Sequence, residues 1–170
     1  MDVIGAIRKR YSCRRYKDKP IEPEKLSIIF EAARLAPSAK NLQDWRFVFV
    51  TNTEGKHKLA EAANNQRFLE KAGAIIVACS ITDQVMRCGQ LIGPIDVAIA
   101  LEHIALQAAD LGLGTCWIGS FYPDKVRAVL GIPENVQVIE LMGIGYPEDK
   151  LKEHKREPIE KIICSERWQF

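Results

Sequence analysis

The sequence predicts a mixed α/β domain of the α+β kind, with helices and strands interleaved around one sheet. Three observations predict it. Ala74 to Ser80 is an apolar run of strand length with β-branched Ile75, Ile76 and Val77 at its centre, the pattern of a strand buried on both faces. Pro94 to Leu111 is apolar over most of a helical circumference, the pattern of a helix buried centrally, with a subunit interface as the second surface it would cover. Helical and strand signals alternate along all 170 residues without a repeat or a linker, which predicts one domain over 1–170.

The elements follow in order. Asp2 is placed to cap a short helix carrying Val3, Ile4 and Ile7 at helical spacing. A basic run from Arg8 to Lys19 leads to Pro20, and Pro23 suits the first turn of a helix to about Leu35 with Leu26, Ile29, Phe30 and Ala33 on one face. Pro37 and Ser38 close it. A loop-like segment, SAKNLQDW, then precedes a strand from Phe47 to Val50. Residues 54 to 72 predict one or two polar helices broken near Asn64–Asn65, and residues 83 to 93 carry no clear period. After the apolar helix, Gly112 is a stop signal. A strand is expected around Thr115 to Ile118, a helix from Pro123 to Leu130 and a strand from Val136 to Ile144. The charged tail from Tyr146 finishes on Ile159, Ile162, Ile163, Trp168 and Phe170, apolar residues that need a surface to cover, the simplest being another subunit.

Composition narrows the function. Hydrophobic residues make up 47% and charged residues 27%, the balance of a globular protein. No apolar run approaches the ~20 residues that span a bilayer, and the N-terminus lacks the layout of a secretory signal, so a cytoplasmic protein is expected. Five scattered cysteines without a C-x-x-C suit a reducing compartment, and His57, His103 and His154 have no metal-ligand spacing. The net charge of +2 conceals an asymmetry: Arg8 to Lys19 holds seven basic residues and one Asp, leaving −4 for the remainder. A concentrated positive segment on a near-neutral chain points to a local anion site rather than to nucleic acid.

Familiar motifs fail on inspection. In GLGTCWIG, Trp117 stands where a dinucleotide fingerprint needs its third glycine, and the segment leaves a helix to enter a strand, the reverse of the required order. Gly55-Lys56 is followed by His57, so there is no P-loop. No G-x-S-x-G elbow is present, and neither Cys79 nor Cys116 has a sequence cue for a catalytic histidine.

Four separated segments, IRKRYSCRRY, APSAKNLQDWRFVFV, LGLGTCWIGSF and GIGYPEDKLKEHKREP, together resemble the nitroreductase family of FMN-dependent oxidoreductases in order and spacing. The resemblance implies a central mixed sheet flanked by helices in an intertwined homodimer, with two FMN sites walled by both chains. In the first segment it implies that Arg10, Ser12 and Arg14 meet the flavin phosphate. Extended backbone has a period of two, so the three side chains can point one way, as guanidinium forks and a hydroxyl around a phosphate require.

In the second segment, Pro37, Ser38, Asn41, Gln43 and Trp45 match the family pattern. By resemblance Ser38 and Asn41 reach the flavin held mainly by the partner subunit, with Gln43 nearby. Ala39 departs from a frequent serine, and Asp44 stands in place of the usual proline. The third segment implies that the backbone N–H groups of Gly119 and Ser120, the catalytic pair, face flavin N5 and O4. The fourth implies that a basic residue returns to the phosphate, Arg156 or else Lys155. Asn65, or Gln66 in the alternative register, matches a position that bonds the flavin pyrimidine.

The implied enzyme works by ping-pong transfer. NAD(P)H gives hydride to flavin N5, and a small-molecule acceptor (a nitroaromatic, a quinone or free flavin) takes the electrons. Arg14 is the candidate cation near N1 and O2, and solvent is a sufficient proton source. Three alternatives stand beside this one: a flavin enzyme with dehalogenation or flavin-fragmentation chemistry, a non-catalytic FMN-storage dimer, and an anion- or nucleic-acid-binding module built on Arg8 to Lys19.

Overall fold

A computed structural model describes residues 2–149 and 155–170; His154 and the 150–154 part of the fourth segment lie outside the described residues. Helix α1 is Val3–Lys9, α2 Pro23–Arg34, α3 Thr53–Ala62, α4 Ile92–Asp110 and α5 Pro123–Leu130. Strand β1 is Trp45–Val50, β2 Ala74–Ser80, β3 Gly114–Ile118 and β4 Gln137–Gly145. The strands form one sheet in the order β1-β2-β4-β3. The α+β class is as the sequence predicts. Where a mixed sheet is implied, the four strands pair antiparallel throughout, and the parallel contact is an isolated bridge between Ser12 and Thr115.

Helices cover both faces of the sheet. On one side α2 and α4 bring Ile29, Ala33, Val97, Leu101 and Ile104 against Ile76, Ala78, Met142 and Ile144. On the other, α3 and α5 bring Leu59 and Val126 against Ile75, Val77, Cys116, Ile118 and Leu141. Every residue of β2 is buried, which is why its sequence is apolar without alternation. Each fully buried Ile, Val or Leu here adds roughly 1.5–3 kcal/mol of transfer free energy.

Local chemistry sets the element ends. Asp2 accepts the Gly5 N–H at 2.9 Å and caps α1. Asn64 and Asn65 both adopt positive φ, 54° and 59°, and stop the chain from continuing α3. Of the stretch without a period, 83–93, residues 83–91 form a turn closed by a bridge between Val85 and Leu91 around Gly89 at φ 87°, and 92–93 already belong to α4. By length and composition α4 could cross a bilayer, yet ten of its residues are buried in this core, including the carboxylate-bearing Asp96.

The ladder between β2 and β4 carries a bulge. Ala78 pairs with Glu140 but Cys79 pairs with Val138, so Ile139 is an added residue in β4. Several apolar side chains find no cover within the chain. Val3, Ile4 and Ile7 of α1 are exposed, Ala6 being the residue that α1 buries. Ile159, Ile162, Ile163, Trp168 and Phe170 are exposed as well, with Trp168 at 84%. Among the described residues the tail's own contacts are local: Lys161 with Glu157, Cys164 with Arg167, Trp168 with Phe170.

Candidate functional site

The basic segment leaves α1 at Arg10 and runs extended beside β3. Ser12 forms its bridge with Thr115, and the Cys13 N–H donates to the Thr115 carbonyl at 2.9 Å. The segment is then fastened to the exit of β4, with Lys17 N–H on the Tyr146 carbonyl and Glu148 N–H on the Arg15 carbonyl, both at 2.9 Å. Gly114 permits this close approach: a Cβ there would lie 2.6 Å from the Cβ of Cys13.

Alternation sorts the side chains. Tyr11 and Cys13 turn toward Asp149, whose Oδ1 accepts from the Tyr11 hydroxyl at 2.9 Å and from the Cys13 thiol at 3.2 Å. Burial, with Asp149 beside it, pushes the Cys13 thiol up to about 12, so it serves as a neutral donor. Burial likewise raises Cys116 and takes Cys79 to about 11, which leaves no thiolate among these buried cysteines. Arg10, Ser12 and Arg14 hold the opposite parity and so present two guanidinium groups and a hydroxyl on the other side of the segment. Arg10 is half-buried and lies 3.7 Å from Glu102 of α4, while Arg14 is exposed.

At the far end of β3, Gly119 and Ser120 are exposed, and among the described residues no hydrogen bond engages their N–H groups. They stand four residues beyond Thr115, about 13 Å along an extended strand. The turn after α3 is tied to the same place, since the Tyr122 N–H donates to the Ala62 carbonyl at 2.9 Å. Asn65 is exposed there, whereas the Gln66 N–H is shared between the carbonyls of Ala60 and Ala63. Lys155 and Arg156 are exposed, and the only hydrogen bond of Arg156 among the described residues is to the Lys155 carbonyl at 3.3 Å.

The second segment is not brought to the first. Pro37, Ser38, Asn41 and Gln43 lead into β1, the opposite edge of the sheet from β3, three inter-strand spacings or about 14 Å across. Their loop is built with care. Lys40, Asn41 and Gln43 all adopt positive φ, between 52° and 56°, and the Ser38 hydroxyl oxygen accepts the Gln43 N–H at 3.0 Å. Asp96, buried in α4, accepts the Ala39 N–H at 3.0 Å and pins the loop to the core. Asp44 enters the ladder region through its carbonyl, which accepts the Ile81 N–H at 3.1 Å.

Two acidic residues of this region escape motif reading: Asp96 and, on β4 beside Gly119, Glu140. Their signal in the sequence is a lone carboxylate inside an otherwise apolar helix or strand. For Asp96, replacement by Ala removes the acceptor of a half-buried N–H in a loop with three left-handed residues. Asp96→Ala should lower stability by about 1–3 kcal/mol, and Asp96→Asn, which keeps an acceptor oxygen, should restore much of it; urea denaturation midpoints measure both.

The donor set suits FMN: cations and a hydroxyl for a phosphate dianion at one end of β3, free N–H groups for the acceptor edge of a flavin at the other. Among the described residues no group of three His, Cys, Asp or Glu could hold a metal.

Comparison with known proteins gives the family and the fold. The family model described as "Nitroreductase family" matches residues 7–83 and 62–146. An NADH dehydrogenase of Thermus thermophilus is 31% identical over 195 residues, covering 96% of this chain and 95% of the relative. A nitroreductase family protein of Clostridium difficile 630 superposes with a TM-score of 0.89 at 32% identity, over 99% of this chain and 100% of the other. An FMN-dependent nitroreductase of Clostridium difficile R20291 gives 0.85 at 32% identity, over 97% and 99%.

Proposed function

Because the chain belongs to the nitroreductase family, we propose that it is an FMN-dependent oxidoreductase drawing electrons from NAD(P)H and passing them to a nitroaromatic, quinone or flavin acceptor. The observation that carries this reading is the pairing of two features on β3. An outward row of Arg10, Ser12 and Arg14 lies at its start, and the unengaged N–H groups of Gly119 and Ser120 lie at its end.

In this reading Arg10, Ser12 and Arg14 bind the phosphate, with Arg156 or Lys155 returning to it from the tail. Asn65 bonds the pyrimidine ring. Gly119 and Ser120 hold the N5–O4 edge in place with fixed dipoles, which orients the ring without reorganisation during reaction. Bound FMN would supply the redox chemistry, two-electron transfer between NAD(P)H and the acceptor, which these residues position. Pro37, Ser38, Asn41 and Gln43 lie too far from these groups to serve the same site within one chain, so they complete the site of a second copy. A homodimer follows, and the exposed apolar faces of α1 and the tail are surfaces it would cover. Its scattered free thiols suit the reducing, cytoplasmic setting that this reading expects.

The test is an absorbance spectrum of the purified protein before and after anaerobic NADH or NADPH. Flavin bands should bleach on addition and return with a quinone or nitroaromatic. Bands that persist would shift the reading to FMN storage, and a colourless protein that takes up no FMN would overturn it.

A further inference from the structure

Glu140 stands in an apolar strand, paired with Ala78 and followed by buried Leu141, Met142 and Ile144. By strand alternation it shares a side with Met142 and Ile144, the side that α2 and α4 cover. One carboxyl oxygen, Oε1, is out of reach of solvent and has no hydrogen-bond partner among the described residues. Leaving a buried polar atom unpaired costs about 1–3 kcal/mol, so the fold alone gives no reason for an acid here. Its location does. Both carboxyl oxygens lie 3.8 Å from where a Cβ on Gly119 would stand, ordinary contact distance, so the Glu140 carboxyl borders Gly119 beside the free N–H groups.

We propose that Glu140 is a positioning residue for the flavin reaction: a titratable carboxyl beside the Gly119–Ser120 turn whose charge state sets how favourable the reduced and negatively charged cofactor is. This rests on the flavin-binding reading above. Burial raises the proton affinity of Glu140 above that of an ordinary glutamate, with a backbone hydrogen bond from Ile118 opposing.

The charged groups on the elements packed against the sheet here are engaged elsewhere. On the same side of the sheet, Asp96 of α4 holds the Ala39 N–H, Arg34 of α2 is paired with Glu31, and Arg46 of β1 donates to the carbonyls of Gln43 and Trp45. Glu102 of α4 is met by Arg10. From β2 the facing residue is uncharged Ala78. From β3, Cys116 is a neutral thiol that feels both Arg14 and Glu140. The sign is direct. An ionised Glu140 repels a negatively charged reduced ring more than a neutral oxidised one, so the reduction potential falls as pH rises through the acid's titration.

The experiment is the two-electron potential of FMN-loaded wild type and Glu140→Gln, measured from mildly acidic to alkaline pH. Glutamine keeps the shape and cannot ionise. The two curves should coincide below the titration of the wild-type acid and part above it. There the wild type should lie lower by about 30 mV, a tenfold loss of preference for the reduced cofactor. Curves that coincide at every pH would overturn the proposal. If the glutamine variant does not fold, infrared spectroscopy of the wild type decides. A neutral carboxyl C=O stretch that disappears over the same pH range as the fall in potential supports the proposal, and a fall in potential without that loss overturns it. Wild-type protein that binds no FMN defeats the flavin reading itself, a result separate from either curve.

Discussion

Replacing both Arg10 and Arg14 by alanine should leave a folded protein that no longer retains FMN. Each guanidinium makes charge-assisted hydrogen bonds to phosphate worth about 1.5–3 kcal/mol, so losing both should weaken binding by about 10²- to 10⁴-fold. The fold should tolerate the change. Arg14 is exposed, and among the described residues Arg10 pairs with partly exposed Glu102, while the segment is anchored through its backbone and through Tyr11 and Cys13 on the opposite side. Fluorescence titration with FMN measures the loss, and circular dichroism checks the fold. Stoichiometric FMN in the double variant would remove the phosphate site from this segment.

Deleting residues 158–170 should turn the proposed dimer into a colourless monomer. The deleted piece carries Ile159, Ile162, Ile163, Trp168 and Phe170, all exposed on this chain. Covering five such side chains is worth on the order of 10 kcal/mol per tail before the entropic cost of association. Because Ser38, Asn41 and Gln43 sit across the sheet from Arg10 and Ser12, a monomer would present two half-sites and no whole one. Sedimentation measures the mass and absorbance the flavin. A truncated chain that remains a yellow dimer would mean that α1 and α4 suffice for the interface.

Much of the fold was legible in the sequence, for physical reasons that differ by element. β2 and α4 declare themselves because residues buried on all sides must be apolar throughout. The Asn64–Asn65 break was legible because two short polar side chains tolerate left-handed backbone, the conformation both adopt. The outcome for α1 was not legible: its period is helical, but Val3, Ile4 and Ile7 point away from this chain's core. Periodicity reports that a face is apolar and says nothing about what covers it. The turn at 83–91 rests on one bridge and Gly89, which leave no period to find.

The candidate site divides in the same way. Arg10, Ser12 and Arg14 share a side because the segment is extended, as their alternate spacing requires. Asp96 and Glu140 were missed because their roles depend on contacts between elements distant in the chain: Asp96 with Ala39, Glu140 with Gly119. A motif search weighs neighbours in sequence, and these two are neighbours only after folding.

The extra residue at Ile139 has a geometric consequence of its own. Side chains along a strand are assigned to faces by parity, so a uniform strand is all in phase or all out of phase. In β4 the bulge resets that phase between Val138 and Glu140, which point to opposite layers although they are two positions apart. The segment leading in from Val136 is thereby indexed to the layer of α3 and α5 independently of the segment that carries Glu140. The acid beside Gly119 owes its facing to that dislocation in the lattice of the sheet, and the strand on either side of it can answer to a different core.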